Sequence, residues 1–350
     1  GEAYIEGGWE SDDLVALIRL MALNDQLSVD LEFGAERLAA PLLKLRHALR
    51  RNTRGGSRKN IADHYDLSNE FFALWLDPTM TYSSAVFERD DMTLEQAQVA
   101  KLDRLCRKLE LAPGDHLLEI GTGWGSLAVH AASRYGCRVT TTTISPGQRR
   151  LAVERIRLRG LEDRVEVLLS DYRDLEGQYD KLVSIEMIEA VGHHFYEKFF
   201  ETCARLLSPD GLMAMQAITI QDRFYERARK TVDYIKRYIF PGSCIPSVSV
   251  LTSAAARASD LTLCHLEDIT PHYARTLREW RERCMAQRDE VKALGFDDRF
   301  LRMWEFYLAY CEGGFAERHI GDVQMLLQKP MNRRPGWLLD RDRMPETGSR

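Results

Sequence analysis

Short apolar runs alternate with amphipathic segments along the middle of the 350-residue chain. The apolar runs have the character of buried strands and lie at 116–121, 137–144, 164–171, 179–187 and 211–220. The segments between them repeat apolar residues with a helical period and lie at 125–135, 146–160 and 193–207. This alternation predicts right-handed βαβ units, and therefore an α/β fold whose parallel sheet is covered by helices on both faces.

The chain between residues 222 and 317 has a different pattern, which is mostly helical and rich in aromatic residues. It interrupts the sheet pattern, and an apolar run at 322–329 then resumes that pattern. We therefore expect 222–317 to form a helical lid and 322–329 to form a last strand. Residues 331–350 are expected to form a tail.

Residues 1–60 predict a small helical region at the N-terminus. Ser11, Asp12 and Asp13 precede an apolar run at 14–18, which is the usual beginning of a short helix. The chain begins at Gly1 and not at a methionine, so we expect this region to be truncated.

Residues 37–62 contain no acidic side chain and accumulate basic ones, at Arg37, Lys44, Arg46, Arg50, Arg51, Arg54, Arg58 and Lys59. Leucines give the first half of this basic segment an apolar face, and the glycines at 55–56 then end the helical pattern. Such a helix can lie on an anionic membrane surface. The alternative is a solvated basic face beside a linker, which the composition alone favours. The choice between the two depends on the substrate.

Composition excludes several classes of function. Lys and Arg number 48 against 53 Asp and Glu, so the net charge of −5 gives no indication of a nucleic-acid partner. The seven cysteines are not spaced as metal ligands, and their odd number suits a reducing cytoplasm. No apolar run approaches the roughly 20 residues of a membrane span. We therefore expect a cytoplasmic protein without a metal.

Glycine recurs at every second position after the first predicted strand, at Gly121, Gly123 and Gly125, and a helical pattern begins at Ser126. Glycines permit a tight turn and let a ligand approach the backbone closely. The spacing differs from the Gly-x-Gly-x-x-Gly dinucleotide fingerprint. With Glu119 it reads Glu-x-Gly-x-Gly-x-Gly, which resembles the first motif of methyltransferases that use S-adenosylmethionine. The alternative is an ordinary glycine turn in an α/β domain.

Residues 63–87 carry many aromatic and small polar side chains, more than a simple connector needs. One interpretation is a folded cap whose aromatic residues belong to the core. The other is a wall that closes over a ligand.

Together these stretches resemble the cyclopropane-fatty-acyl-phospholipid synthase family, which includes the mycolic acid cyclopropane synthases. The resemblance covers residues 60–329 and rests on motifs at 64–66, 69, 71–72, 81–83, 119–125, 143–145, 148, 171–174, 187–189, 238–242, 244–247, 307–308 and 311. It implies a Rossmann-like class I methyltransferase sheet at 61–330, with the lid as an insertion. The cofactor that it implies is S-adenosylmethionine.

The same resemblance implies a bicarbonate ion as base, held in the family by a Cys, a Glu, a His and a Tyr. Glu189 and Tyr273 match two of these ligands, whereas Ser84 and Gln216 stand at the Cys and His positions. Both replacements can donate hydrogen bonds to an anion. Glu189 is then the one group in this set that brings a negative charge. Cys311 is a further candidate, as a nucleophile.

The resemblance also assigns cofactor contacts to three groups of residues besides the glycine turn, which itself comprises Glu119, Gly121, Thr122, Gly123, Trp124 and Gly125. The ribose group contains Thr143, Ile144 and Gln148. The adenine group contains Asp171, Tyr172 and Arg173. Tyr82, Ser83 and Ile185 approach the methionyl end.

The expected activity is the addition of a methylene bridge to unsaturated acyl chains of phospholipids, by an enzyme peripheral on the inner face of the membrane. The nearest alternative is an enzyme that leaves a methyl or methylene branch without closing a ring. An alternative of another class is a lipid- or cofactor-binding module without catalysis. The sequence leaves open whether the protein forms a homodimer.

Overall fold

The computed structural model describes residues 1–24 and 68–333. A seven-stranded sheet forms its centre, with the strand order β3-β2-β1-β4-β5-β7-β6. Its strands are β1 (His116–Ile120), β2 (Arg138–Thr143), β3 (Val165–Leu169), β4 (Tyr179–Ile185), β5 (Leu207–Ile220), β6 (Thr262–Asp268) and β7 (Ile320–Gln328). Strands β1 to β5 pair in parallel, and β7 runs antiparallel between β5 and β6. The predicted α/β class is confirmed.

Strand β6 lies inside the interval whose pattern predicts a helical lid. It occupies the edge of the sheet and pairs with β7 alone. Most of its side chains are half-buried or exposed, so it lacks the continuous apolar run that revealed the inner strands. The interval 222–317 is therefore helical with one edge strand.

Thirteen α-helices surround the sheet in the described residues. They are α1 (Glu2–Ile5), α2 (Leu14–Leu23), α3 (Asn69–Ala73), α4 (Leu94–Lys108), α5 (Ser126–Tyr135), α6 (Pro146–Leu158), α7 (Ile188–Val191), α8 (Tyr196–Leu206), α9 (Asp222–Lys230), α10 (Val248–Ala258), α11 (Thr270–Ala286), α12 (Arg288–Ala293) and α13 (Asp298–Ala316). A π-helical turn spans Ile235–Ile239. None of the described helices is both long and apolar enough to span a bilayer.

Local capping chemistry sets where several helices begin. The side chains of Thr93 and Gln96 each accept a hydrogen bond from the other's backbone N–H, which forms a capping box at the start of α4. Ser145 caps α6, and Pro146 follows in the first turn, where its missing N–H costs nothing. Asp13 caps α2, as its position before an apolar run predicts.

The aromatic residues of the 68–87 stretch belong to a core between α3 and the lid helices α11 and α13. Phe71, Phe72 and Trp75 are fully buried, as are Trp280 of α11 and Trp304 of α13. Their ring centroids lie 5.1 to 6.2 Å apart in edge-on and tilted pairs, an arrangement that adds to the effect of burial. This aromatic core fixes the lid against the first part of the methyltransferase-like domain.

The first two helices pack on the outer side of α13. A Cβ atom at Gly313 would lie only 2.7 Å from Cγ2 of Ile18, so glycine permits this close helix contact. The predicted basic segment at 37–62, the motif at 64–66 and most of the predicted tail lie outside the described residues.

Candidate functional site

The glycine stretch forms the predicted strand, turn and helix start. β1 ends at Ile120, and Gly121, Gly123 and Gly125 have φ values of 104°, 52° and 87°, which other L-residues rarely adopt. A Cβ atom at Gly123 would have no neighbour within 4 Å, so the backbone there faces open space. Gly125 has another role, because a Cβ atom at this position would press against Ala152 of α6 at 3.2 Å.

A cavity of about 580 Å³ opens above this turn, at the carboxyl ends of the parallel strands. All the predicted cofactor contacts except Gly125 line it: Tyr82, Ser83, Glu119, Gly121, Thr122, Gly123, Trp124, Thr143, Ile144, Gln148, Asp171, Tyr172, Arg173 and Ile185. Doubly wound sheets bind their ligands at this edge. The fold thus brings the residues that the sequence predicts as cofactor contacts together around one cavity, with Gly125 as the exception.

Hydrogen bonds hold the polar members of this set in place. Thr143 donates from Oγ1 to Oε1 of Gln148 at 2.8 Å. Arg173 forms two hydrogen bonds with the Asp171 carboxylate, from Nε at 2.8 Å and from Nη2 at 2.6 Å. Both oxygens of that carboxylate are therefore paired with the guanidinium of Arg173, which also lies 5.5 Å from the centroid of the Tyr172 ring.

Glu186 is absent from the set that the sequence predicts, yet it lines the cavity. Its Oε1 accepts hydrogen bonds from the Ser84 backbone N–H and from Nε2 of Gln216, each at 2.8 Å. Its Oε2 accepts from the Tyr273 hydroxyl at 2.6 Å. Glu186 therefore adds a second acidic side chain beside Glu189, one that the set predicted from sequence did not contain.

The backbone at Glu186 is strained. Its φ of 46° lies in the left-handed region, which costs a non-glycine residue about 1–2 kcal/mol. The Glu186 N–H donates to the Gln216 carbonyl at 2.8 Å, directly beyond the point where β4 pairs with β5. Such strain persists where surrounding contacts determine the conformation, and it is common at functional sites.

Ser84 and Gln216 lie behind Glu186 and not on the cavity wall. Both are completely or almost completely buried, and neither lines the cavity. The Ser84 hydroxyl donates to the Ala85 carbonyl at 3.1 Å and so turns away from the site. Hence the two residues at the family's Cys and His positions reach the cavity only through the Glu186 carboxylate.

Glu189 and Tyr273 do line the cavity, as predicted. Oε1 of Glu189 accepts a hydrogen bond from the Ile218 N–H at 2.6 Å, while its buried Oε2 has no partner among the described residues. Burial, and next the charge of Glu186, raise the pKa of Glu189 to about 8. Burial likewise raises the pKa of Glu186 and that of Tyr273.

Lys101 supplies a positive charge beneath these carboxyl groups. It is fully buried and donates from Nζ to Oγ of Ser83 at 2.6 Å. Burial lowers its pKa to about 8, against the opposing influence of Glu186 and Asp322. Burial also raises the pKa of Glu119, to about 8. The inner wall therefore carries carboxyl groups that burial holds toward their neutral form, and a ligand with a positive charge would favour their ionised form.

Cys311 borders the cavity on the lid side. Burial raises the pKa of its thiol well above the usual range, so the thiolate that a nucleophile needs is disfavoured. This environment suits a neutral thiol that lines the cavity. The role of Cys311 as a nucleophile stays a prediction that the structure does not support. Other lining residues of the lid are mainly apolar and include Phe224, Ile235, Phe240, Pro241 and Tyr310.

Comparison with known proteins places these features in a family. The chain is 41% identical over 336 residues to the tuberculostearic acid methyltransferase UfaA1 of Mycobacterium tuberculosis, covering 93% of this chain and 78% of that protein. It is 37% identical over 332 residues to the cyclopropane-fatty-acyl-phospholipid synthase of Escherichia coli, covering 94% of this chain and 82% of that one.

A solved structure shows the same fold. The mycolic acid cyclopropane synthase CmaA1, crystallised with SAH and CTAB, superimposes with a TM-score of 0.73 at 35% identity, over 78% of this chain and 98% of its own. The family model for mycolic acid cyclopropane synthetase matches residues 52–325. The chain therefore belongs to the mycolic acid cyclopropane synthetase family and is an S-adenosylmethionine-dependent methyltransferase.

Proposed function

We propose that the protein transfers a methyl group from S-adenosylmethionine to the double bond of an unsaturated phospholipid acyl chain and closes a cyclopropane ring. One observation carries this proposal. A single cavity joins the glycine turn to the apolar lid surface, and Glu186, Glu189 and Tyr273 line it. Such a site can bring a donor and an alkene together away from water.

The residues of the site support this chemistry. When bound, S-adenosylmethionine supplies an electrophilic methyl group on a positively charged sulfur. Methyl transfer moves the positive charge onto the acyl chain, where Glu186 and Glu189 would stabilise it in a medium of low dielectric. The apolar lid residues would hold the acyl chain, and their exclusion of water would protect the cation from hydration.

A second product has support from specific residues. Ser84 and Gln216 depart from the Cys and His that the resemblance implies at the base. UfaA1 is named a methyltransferase, not a cyclopropane synthase. A methylene branch forms by the same methyl transfer if a hydride shifts from the methylated carbon to the cationic carbon. The base then removes a proton from the new methyl group, and the electron pair of that C–H bond forms the double bond of the branch.

The membrane would be the source of the substrate, because acyl chains of phospholipids lie in the bilayer. The basic segment at 37–62 has the composition of an anionic-membrane anchor, in which each basic residue near the surface adds about 1 kcal/mol. We expect the protein to work as a peripheral enzyme on the cytoplasmic face of the membrane.

The product itself tests the proposed activity. Purified protein is incubated with S-adenosylmethionine and vesicles of cis-unsaturated phospholipid, and the lipid is examined by mass spectrometry and proton NMR. We expect a lipid heavier by one CH₂ group with upfield cyclopropane protons. A methylene branch has the same mass but vinylidene protons, so it would establish the second product. If no methylated lipid is formed, the result would favour the alternative of a lipid- or cofactor-binding module without catalysis.

The cofactor site is tested at Gly123. A valine there would project into the open space above the turn, so we expect affinity for S-adenosylmethionine, measured by calorimetry, to fall at least tenfold, about 1.4 kcal/mol. Gly160 is the matched control, because its φ of 62° and its lack of neighbours within 4 Å resemble those of Gly123. If both valine variants bind equally, the turn is not the cofactor site.

The affinity for S-adenosylmethionine should rise with pH. Glu189 has a pKa of about 8, and a sulfonium cation favours its ionised form. One such linked proton raises the affinity about tenfold between pH 7 and pH 9. S-adenosylhomocysteine lacks the positive sulfur, so the ratio of the two dissociation constants isolates this effect. A ratio independent of pH would contradict the proposed charge pairing, and Glu189→Gln should flatten the profile.

The basic segment is tested by charge reversal. Replacing Arg50, Arg51 and Arg54 with glutamate should abolish sedimentation with anionic vesicles at low salt and spare cofactor binding. The control replaces three exposed arginines on or beside α6 with glutamate and so changes the net charge by the same amount. They are Arg150, Arg157 and Arg159. If both triple variants lose sedimentation equally, only the net charge matters. If the Arg50, Arg51 and Arg54 variant still sediments with the vesicles, the basic segment is not the membrane anchor.

A further inference from the structure

The donors expected to hold a bicarbonate ion are already used by the protein. The Ser84 N–H, the Gln216 amide and the Tyr273 hydroxyl all donate to Glu186, at 2.6 to 2.8 Å. These three groups come from the segment before α4, from β5 and from α11. They surround one carboxylate as they would surround one small planar anion.

A second anion at this place would lack these three donors, because Glu186 already accepts from them. It would have to displace Glu186 from its three donors or lie between the carboxyl groups of Glu186 and Glu189. Like charges in a buried site disfavour each other strongly. Bicarbonate therefore does not fit the described site.

The orientation of the Gln216 amide is fixed from behind. Its Oε1 accepts from Nε2 of Gln324 at 3.1 Å, and Oε1 of Gln324 accepts from Nζ of Lys108 at 2.7 Å. Nε2 of Gln216 is thereby directed toward Glu186, and it also donates to Asp322 at 2.9 Å. Gln324 therefore orients Gln216. The Gln216 amide presents its donor to the acidic groups of Glu186 and Asp322, which stabilises a carboxylate at Glu186.

We propose that the Glu186 carboxylate is itself the base of this enzyme and replaces bicarbonate. This inference rests on the proposed methyl transfer to an acyl double bond. After that transfer, one alkene carbon bears the new methyl group and its neighbour bears the positive charge. A C–H bond of the methyl group breaks, its electron pair forms the second ring bond to the cationic carbon, and Glu186 takes the proton.

The step balances without an oxidant or a reductant. Glu186 becomes a neutral carboxylic acid, the acyl chain becomes neutral, and the proton passes to water before the next turnover. For a methylene branch, a hydride first shifts from the methylated carbon to the cationic one. The same carboxylate then takes a proton from the methyl group, so the identity of the base does not depend on the product.

The first part of the test removes the carboxylate and the bicarbonate separately. Product formation on unsaturated vesicles is measured in buffer freed of carbon dioxide, before and after bicarbonate is added. We expect the unaltered protein to be equally active in both. Glu186→Gln keeps the side-chain shape but not the base, and it should slow product formation at least 100-fold while S-adenosylhomocysteine still binds.

The second part separates a base from a positioning residue. Glu186→Gly leaves room for a small anion and suits the positive φ, so formate or bicarbonate should restore part of its activity. Glu110→Gly is the matched control, because Glu110 is exposed, has a φ of 52° and lies outside the cavity. It should keep full activity and show no response to formate.

The outcomes are distinct. The inference would be overturned if the unaltered protein lost activity without bicarbonate. It would also be overturned if the Glu186→Gln variant formed product at the original rate. A Glu186→Gly variant that binds S-adenosylhomocysteine but responds to neither anion would also overturn it, because Glu186 would then only position other groups. If the unaltered protein methylates no lipid, the proposed function fails first, and that result is separate from all of these.

Discussion

The hydrogen bonds of one buried carboxylate connect the separate parts of this site. Glu186 follows β4, and its donors come from the segment before α4, from β5 and from α11. A charged group in a buried site is tolerated only when its oxygens are satisfied and a counter-charge is near. Three donors and the buried Lys101 favour the ionised carboxylate against the burial that raises the pKa of Glu186. They can do so only while the lid, the sheet and the 68–87 stretch hold their relative positions.

The aromatic core supplies that rigidity. Phe71, Trp75, Trp280 and Trp304 lock the lid helices to the stretch that carries Ser84. Both interpretations of the 68–87 stretch therefore hold in part. Its large aromatic residues are core, while Tyr82 and Ser83 reach the cavity. The same short stretch therefore contributes aromatic side chains to the core and polar side chains to the cavity.

Much of the fold could be predicted from the sequence, because the inner strands are continuous apolar runs and the glycine turn has a characteristic spacing. Strand β6 could not, since it lies at an edge and is only half-buried. Glu186 could not be assigned a role either. Its function depends on a left-handed backbone and on donors from distant segments, and neither is visible in a linear pattern. The one available signal was a pair of glutamates, Glu186 and Glu189, at the carboxyl end of a predicted strand.

The departures at Ser84 and Gln216 become intelligible once Glu186 is included. Considered alone, they weaken a site for an anion, because neither residue replaces the titratable groups of the family pattern. Beside a protein carboxylate the Gln216 amide is a suitable donor, and position 84 has to supply only its backbone N–H. Both residues are buried behind Glu186. The three positions therefore form one unit, and a change at any one of them alters the environment of the other two.

A crystal structure of the S-adenosylhomocysteine complex, soaked in bicarbonate, tests this arrangement most directly. We expect both Glu186 oxygens to keep their contacts with the Ser84 N–H, Gln216 and Tyr273, and no further anion between them. A bicarbonate ion bound to Gln216 and Tyr273, with Glu186 turned away, would contradict it.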